Sequence, residues 1–205
     1  RAHPGLDVGC HLTLTGGDSL VAPHLPLPAT PARLARAIAA RQVRVYDELV
    51  AQIRRLVDAG IRPSHLDAHK HVHMLPPVTR AVARLAREFR IRWVRRPLAV
   101  PVLGPMLGLT LFRAGCRMTD NFLGYRQTGR LTKDVLLEVI RRLPPGLSEL
   151  MCHPGHLGPQ LRAAKTRLKE SRQRELEALT SPEVIAAIRE AGIDLVNFRS
   201  LGAGA

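Results

Sequence analysis

Four of the nine histidines and one aspartate crowd into ten residues, HLDAHKHVHM, from His65 to Met74. Imidazole nitrogens and carboxylate oxygens are donors that divalent metals accept, and imidazole also carries protons near neutral pH. The chemistry such a segment points to is metal binding or acid–base catalysis, rather than a solvated loop or a set of core histidines. As an extended strand it places His65, Asp67, His69, His71 and His73 on one face and Leu66, Ala68 and Val72 on the other. That strand runs about 27 Å from His65 to His73, so only neighbours two apart, 67/69 or 69/71, can converge on one ion. A helix would also align His65, His69 and His73, at a spacing that binds metals. Pro63 before the segment and Pro76-Pro77 after it favour the strand.

The elements that must position these groups can be read from periodicity. Leu6–Thr15 alternates, with Val8, Cys10, Leu12 and Leu14 on an apolar face and His11, Thr13 and Thr15 opposite, so it is expected to be a strand. Thr30 and Pro31 open a helical region that runs, with one break, to Gly60. A helix follows Pro76-Pro77, with Val78, Val82, Leu85 and Ala86 on its apolar face, and IRWVRRP reads as a short strand. Val102–Ala114 is expected to be a helix, and the apolar stretch Leu98–Phe112 is expected to be buried in the core rather than to form a lipid-facing surface. Asp120–Tyr125 is a strand or loop, Thr132–Leu143 a capped helix, Ser148–His153 a strand, and Asp194–Phe198 the last strand. Between the last two, a basic helix spans Arg162–Arg174 and a further helix runs from Ser181-Pro182 to Gly192. Strands alternating with helices imply a parallel α/β sheet, open or closed into a barrel, whose site gathers at the strand ends. His11, His69 and His153 each lie in or near such an end.

Composition narrows the class. The 205 residues, 45% hydrophobic with mean hydropathy −0.03, suit one soluble globular domain spanning 1–205. The formal charge of +14 raises nucleic acid as a partner, but the cations are scattered and aromatics make up only 3%, so nucleic acid is not expected. Cys10, Cys116 and Cys152 are odd in number and unpaired in spacing, which fits a reducing cytoplasm. No apolar run is long enough for membrane insertion, and GxGxxG and GxxxxGK[ST] are both absent.

Three motifs, HLTLT at 11–15, PSHLDAHKHVHMLP at 63–76 and ELMCHPG at 149–155, together resemble the YdjC-like carbohydrate deacetylases, a family with chitooligosaccharide-specific and hopanoid-associated members. The resemblance implies a distorted (β/α) TIM-like barrel of the sugar-deacetylase type. It implies one divalent metal ion, magnesium or zinc, held by an aspartate and two histidines. By motif the two are His11 and His69, leaving Asp67, His71 and His73 around the metal or facing the substrate.

The reaction implied is metal-assisted hydrolysis of an N-acetylated carbohydrate, in which an acid protonates the departing amine. His153, after a strand and before Pro154-Gly155, is the candidate catalytic acid. Arg95 or Arg96 could orient the base or bind a sugar oxygen, and Arg96 is placed with Asp67 and His73 in substrate binding. Members of the family open on a strand with adjacent aspartates, one a metal ligand and one a base. Nothing here matches it, so the first βα unit or units are expected to be missing and the chain impaired as given. A lipid-linked amino sugar of the hopanoid type is the alternative substrate, and a non-catalytic metal-binding protein the alternative function. A homodimer is plausible by resemblance.

Overall fold

The computed structural model of the protein describes His3 and residues 5–202. These form two compact units, one built from the residues up to Met118 with those from Asn197 onward, the other from Thr119–Val196.

In the first unit, β1 (Cys10–Leu12), β2 (His65–Ala68) and β3 (Trp93–Val94) form a parallel sheet in the order β1-β2-β3. The connections carry α1 (Pro31–Ala39), α2 (Val45–Asp58) and α3 (Pro76–Glu88), and α4 (Leu103–Arg113) follows β3. Each helix starts and stops where local chemistry requires. The Thr30 hydroxyl accepts from the Arg33 N–H at 3.2 Å, capping α1. The expected break between α1 and α2 includes Arg41 in a left-handed conformation (φ 56°). Gly60, at φ 77°, closes α2 in a Schellman turn, donating to Val57 while Ile61 donates to Leu56. The alternation read in Leu6–Thr15 holds, since Cys10, Leu12 and Leu14 are buried and meet Leu34, Leu49, Ile53, Leu66 and Leu85 in one core. β1 is shorter than the alternating stretch because a side chain takes over its ladder. Gln52 of α2 accepts from the Thr13 N–H at 2.9 Å and donates to the Thr13 carbonyl at 2.7 Å. Glu48, one turn earlier and buried, accepts from the Ser19 hydroxyl and the Leu20 N–H and folds the following loop onto the helix.

In the second unit, β4 (Asn121–Leu123) pairs in parallel with β5 (Ser148–Leu150). The helices α5 (Lys133–Arg141), α6 (Pro159–Ala163), α7 (Glu170–Leu179) and α8 (Pro182–Glu190) complete it. Leu131, Leu136, Ile140, Ala178 and Val184 form its core. Gly124 turns out of β4 at φ 87°, where a Cβ would lie 2.2 Å from the Met151 carbonyl oxygen.

Parallel strands joined through helices are as the sequence implies; the described residues make one sheet of three strands and one of two. Four local expectations are corrected. The histidine segment leaves the strand conformation after Ala68 and coils as a 3-10 turn over His69–Met74, because Lys70 and His71 are both left-handed (φ 50° and 52°). The basic stretch is split between α6 and α7 rather than continuous. Asp194–Phe198 forms no strand, since no described strand pairs with it, and Leu195 and Val196 are exposed. The apolar stretch through α4 is only half buried. Leu107 and Leu111 reach the interior, whereas Val102, Met106, Leu109 and Phe112 are exposed. Among the described residues no helix is long and apolar enough to cross a membrane.

Candidate metal site

The parallel register pairs His11 of β1 with Asp67 of β2. Neighbours in such a ladder present their side chains to the same face about 4.8 Å apart, so imidazole meets carboxylate. His11 Nδ1 lies 2.9 Å from each Asp67 oxygen. From the end of β3, the Arg95 N–H donates to the Leu66 carbonyl at 2.9 Å, and its guanidinium Nη1 lies 2.6 Å from Asp67 Oδ2. The side chains of Asp67 and Arg95 are each 11% exposed, that of His11 55%. An ion pair therefore forms the floor and an open imidazole stands on it.

Burial pushes the Asp67 carboxyl up, but the His11 hydrogen bond and the Arg95 charge outweigh it and hold the pKa below the usual carboxylate value. Asp67 is thus an anion at neutral pH. A carboxylate at Nδ1 places the ring proton there and leaves the Nε2 lone pair of His11 available, the arrangement in which a carboxylate orients a metal-binding histidine.

His69 completes the pair. It is the first residue after β2, where the chain turns aside, and its Nδ1 lies 3.4 Å from His11 Nε2. The two rings meet edge to face, with centroids 5.5 Å apart. Two nitrogens bound tetrahedrally to one zinc at about 2.05 Å each stand about 3.3 Å apart, so the observed spacing fits two ligands of one ion. The donor set also suits other divalent metals. The described residues contain no group of three His, Cys, Asp or Glu side chains placed to hold a metal; the pair that could share one ion is His11 and His69, with Asp67 behind His11.

The remaining histidines of the segment part company. His65 donates or accepts at 2.9 Å with Ser64 Oγ and stacks on Phe198 with ring centroids 4.3 Å apart. Its ring covers Gly9, where a Cβ would meet it at 2.2 Å. His73, expected on the substrate-facing side, is instead 2% exposed, because the left-handed pair Lys70-His71 breaks the alternation and turns its ring inward. Burial, with the nearby His71 and Arg95, lowers its pKa to about 4, so it is neutral at physiological pH. Arg96 is exposed, and its neighbour Arg95 is the one that joins the site. Alternation along an extended segment dictates that only one of two adjacent arginines can do so. Arg95 was readable as a candidate, but the choice between the two required the register.

His153 belongs to the second unit, beyond β5, and is partly buried. Its backbone N–H donates to Glu175 of α7, and its carbonyl lies 3.5 Å from Arg172 Nη1 of the same helix. Glu175 is itself 1% exposed. A carboxylate buried in a helix that otherwise reads as a wet basic face was not identified from the sequence; its spacing of 22 residues from His153 carries no local signal.

A family model described as "YdjC-like protein" matches residues 1–190. A carbohydrate deacetylase of Geobacillus stearothermophilus is 33% identical over 211 residues, covering 97% of this chain and 78% of that protein. A chitooligosaccharide deacetylase of Klebsiella pneumoniae is 32% identical over 211 residues, covering 98% and 80%. Among solved structures, a protein of Enterococcus faecalis described as a cellobiose-phosphate cleavage protein superposes with a TM-score of 0.77 at 28% identity, covering 97% of this chain and 78% of that one.

Proposed function

The chain belongs to the YdjC-like family, and from that premise we propose that it is a metal-dependent carbohydrate deacetylase, hydrolysing the acetamido group of N-acetylated sugars. The observation that carries this reading is the arrangement of Asp67, His11 and His69, with two imidazole nitrogens at the separation of two ligands to one ion. A divalent metal held there supplies Lewis-acid activation of the acetyl carbonyl and of water. His11 and His69 are the residues that would hold it. Asp67 fixes the His11 tautomer and the direction of its lone pair, and Arg95 keeps Asp67 ionised. His153, whose main chain is fixed by Glu175 within the second unit, is proposed from its motif alone as an acid catalyst.

The test is acetate release from N-acetylglucosamine oligomers with and without added zinc or magnesium, by the protein beside His69→Ala. Metal-stimulated release that His69→Ala abolishes supports the reading. Release indifferent to metal and to His69 refutes it.

The exposed row Val102, Met106, Leu109 and Phe112 on and beside α4 favours a second substrate reading, a lipid-linked amino sugar whose apolar part lies on this helix. A homodimer through the same row is the competing occupant. Faster turnover of an acetylated sugar on a lipid anchor than of the soluble oligomers, lost in Phe112→Ser, supports the first. Light scattering that reports a dimer, dissociated by the same variant, supports the second.

A further inference from the structure

Within the first unit, the strand ends opposite the proposed metal site border an open pocket of about 380 Å³. Its wall carries four arginines, Arg62, Arg90, Arg92 and Arg199, around the aromatic rings of Trp93 and Phe198. Residues just before β2 and β3 line it, whereas His69 and Arg95 follow those strands, so it is a separate site. Four cations gathered at one concavity repel one another unless anions compensate them. Asp7 compensates one, accepting from the Arg199 N–H at 3.0 Å and lying 3.5 Å from its Nε. Arg62, Arg90 and Arg92 make no ion pair among the described residues, and all three are exposed. A fifth guanidinium, Arg117, lies 6.0 Å from the centre of the Trp93 ring.

Guanidinium groups match phosphate oxygens in geometry as well as charge. The floor adds a second requirement. Trp93 and Phe198 meet at 47° with centroids 5.5 Å apart, which makes an angled apolar surface rather than a parallel slot for a flat base. A saturated sugar ring presents C–H groups to such a surface. The indole N–H of Trp93 is buried with no acceptor among the described residues. The volume is at the lower end of small-ligand pockets, which suits a monosaccharide phosphate.

We propose that this pocket binds a phosphorylated sugar, the phosphate held by Arg62, Arg90 and Arg92 and the ring lying on Trp93 and Phe198. The site is independent of the deacetylase reading.

Trp93 is the single tryptophan of the chain, so its emission reports on the pocket directly. The test titrates the protein with glucose 6-phosphate, glucose, inorganic phosphate and adenosine monophosphate, by fluorescence and by calorimetry on the same solutions. Glucose 6-phosphate is expected to give a saturable change that weakens with salt, and glucose none. Arg90→Ser combined with Arg92→Ser, both at exposed side chains, raises its Kd tenfold or more while thermal unfolding is unchanged. His69→Ala leaves the Kd as it was, which separates failure here from failure of the metal site. Neither heat nor emission change at millimolar glucose 6-phosphate overturns the proposal. So does inorganic phosphate or adenosine monophosphate binding as tightly as the sugar phosphate, or an arginine double variant with unaltered affinity.

Discussion

Replacing Asp67 with asparagine tests the floor of the metal site without changing its shape. The carboxylate lies 2.9 Å from His11 Nδ1 and 2.6 Å from Arg95 Nη1, with both charged side chains 11% exposed. The substituted side chain still has one oxygen to offer, but it removes the negative charge that faces the largely buried Arg95 guanidinium. Removing one member of a buried pair costs about 3–5 kcal/mol. The residual exposure and the retained oxygen place the expected loss at or below the bottom of that range, about 2–3 kcal/mol. For a chain of this length each kcal/mol moves Tm by about 2–4 °C, so Tm falls by roughly 4–12 °C. The amide also no longer fixes the proton on His11 Nδ1, and loss of such an outer partner lowers metal affinity about 10- to 100-fold. Calorimetric titration with zinc and a thermal melt measure the two effects on one sample. Adding Arg95→Met removes the guanidinium that faced the carboxylate, so the double variant regains part of the lost stability but none of the lost affinity. Zinc binding by Asp67→Asn within twofold of the parent would refute the assignment of Asp67 as the group that orients His11.

Three further outcomes are expected. His73 has a folded-state pKa of about 4 against an ordinary 6.5, so as pH falls the unfolded chain takes up its proton first. Stability is fully present above pH 6.5 and declines by up to about 3 kcal/mol toward pH 4; urea unfolding across that window shows the decline, and His73→Gln flattens it. Gly124→Ala places a Cβ 2.2 Å from the Met151 carbonyl at a backbone φ of 87°, and denaturant unfolding is expected to show a loss of at least about 2 kcal/mol. Glu175→Ala strands the His153 N–H and costs about 1–3 kcal/mol, while Glu175→Gln keeps an acceptor and melts like the parent. Equal melting of the two variants would mean that the hydrogen bond to His153 contributes nothing.

Much of this arrangement was legible before any coordinates. Alternation over Leu6–Thr15 put His11 on the polar side of a strand, and the proline and threonine signals set the starts of α1, α3 and α5, because caps and periodicity are local properties. Register is not local. The convergence of His11 on Asp67 depends on how β1 slides against β2, and Arg95 rather than Arg96 enters the site for the same reason. The turn at Lys70-His71 was also hidden, since two consecutive left-handed residues that are not glycine run against backbone preference. That turn is what separates His69 from His73, and reading the segment as one continuous strand put the two on a common face. Glu175 and Gln52 act on main chain far away in sequence, and the arginines of the second pocket come from three separate segments.

The measurement that bears most directly on the central reading is acetate released from N-acetylglucosamine oligomers by the protein, with and without zinc or magnesium, beside its His69→Ala variant. The account predicts release that rises with metal and falls to background in the variant. Acetate release that ignores metal and survives the loss of His69 would contradict it.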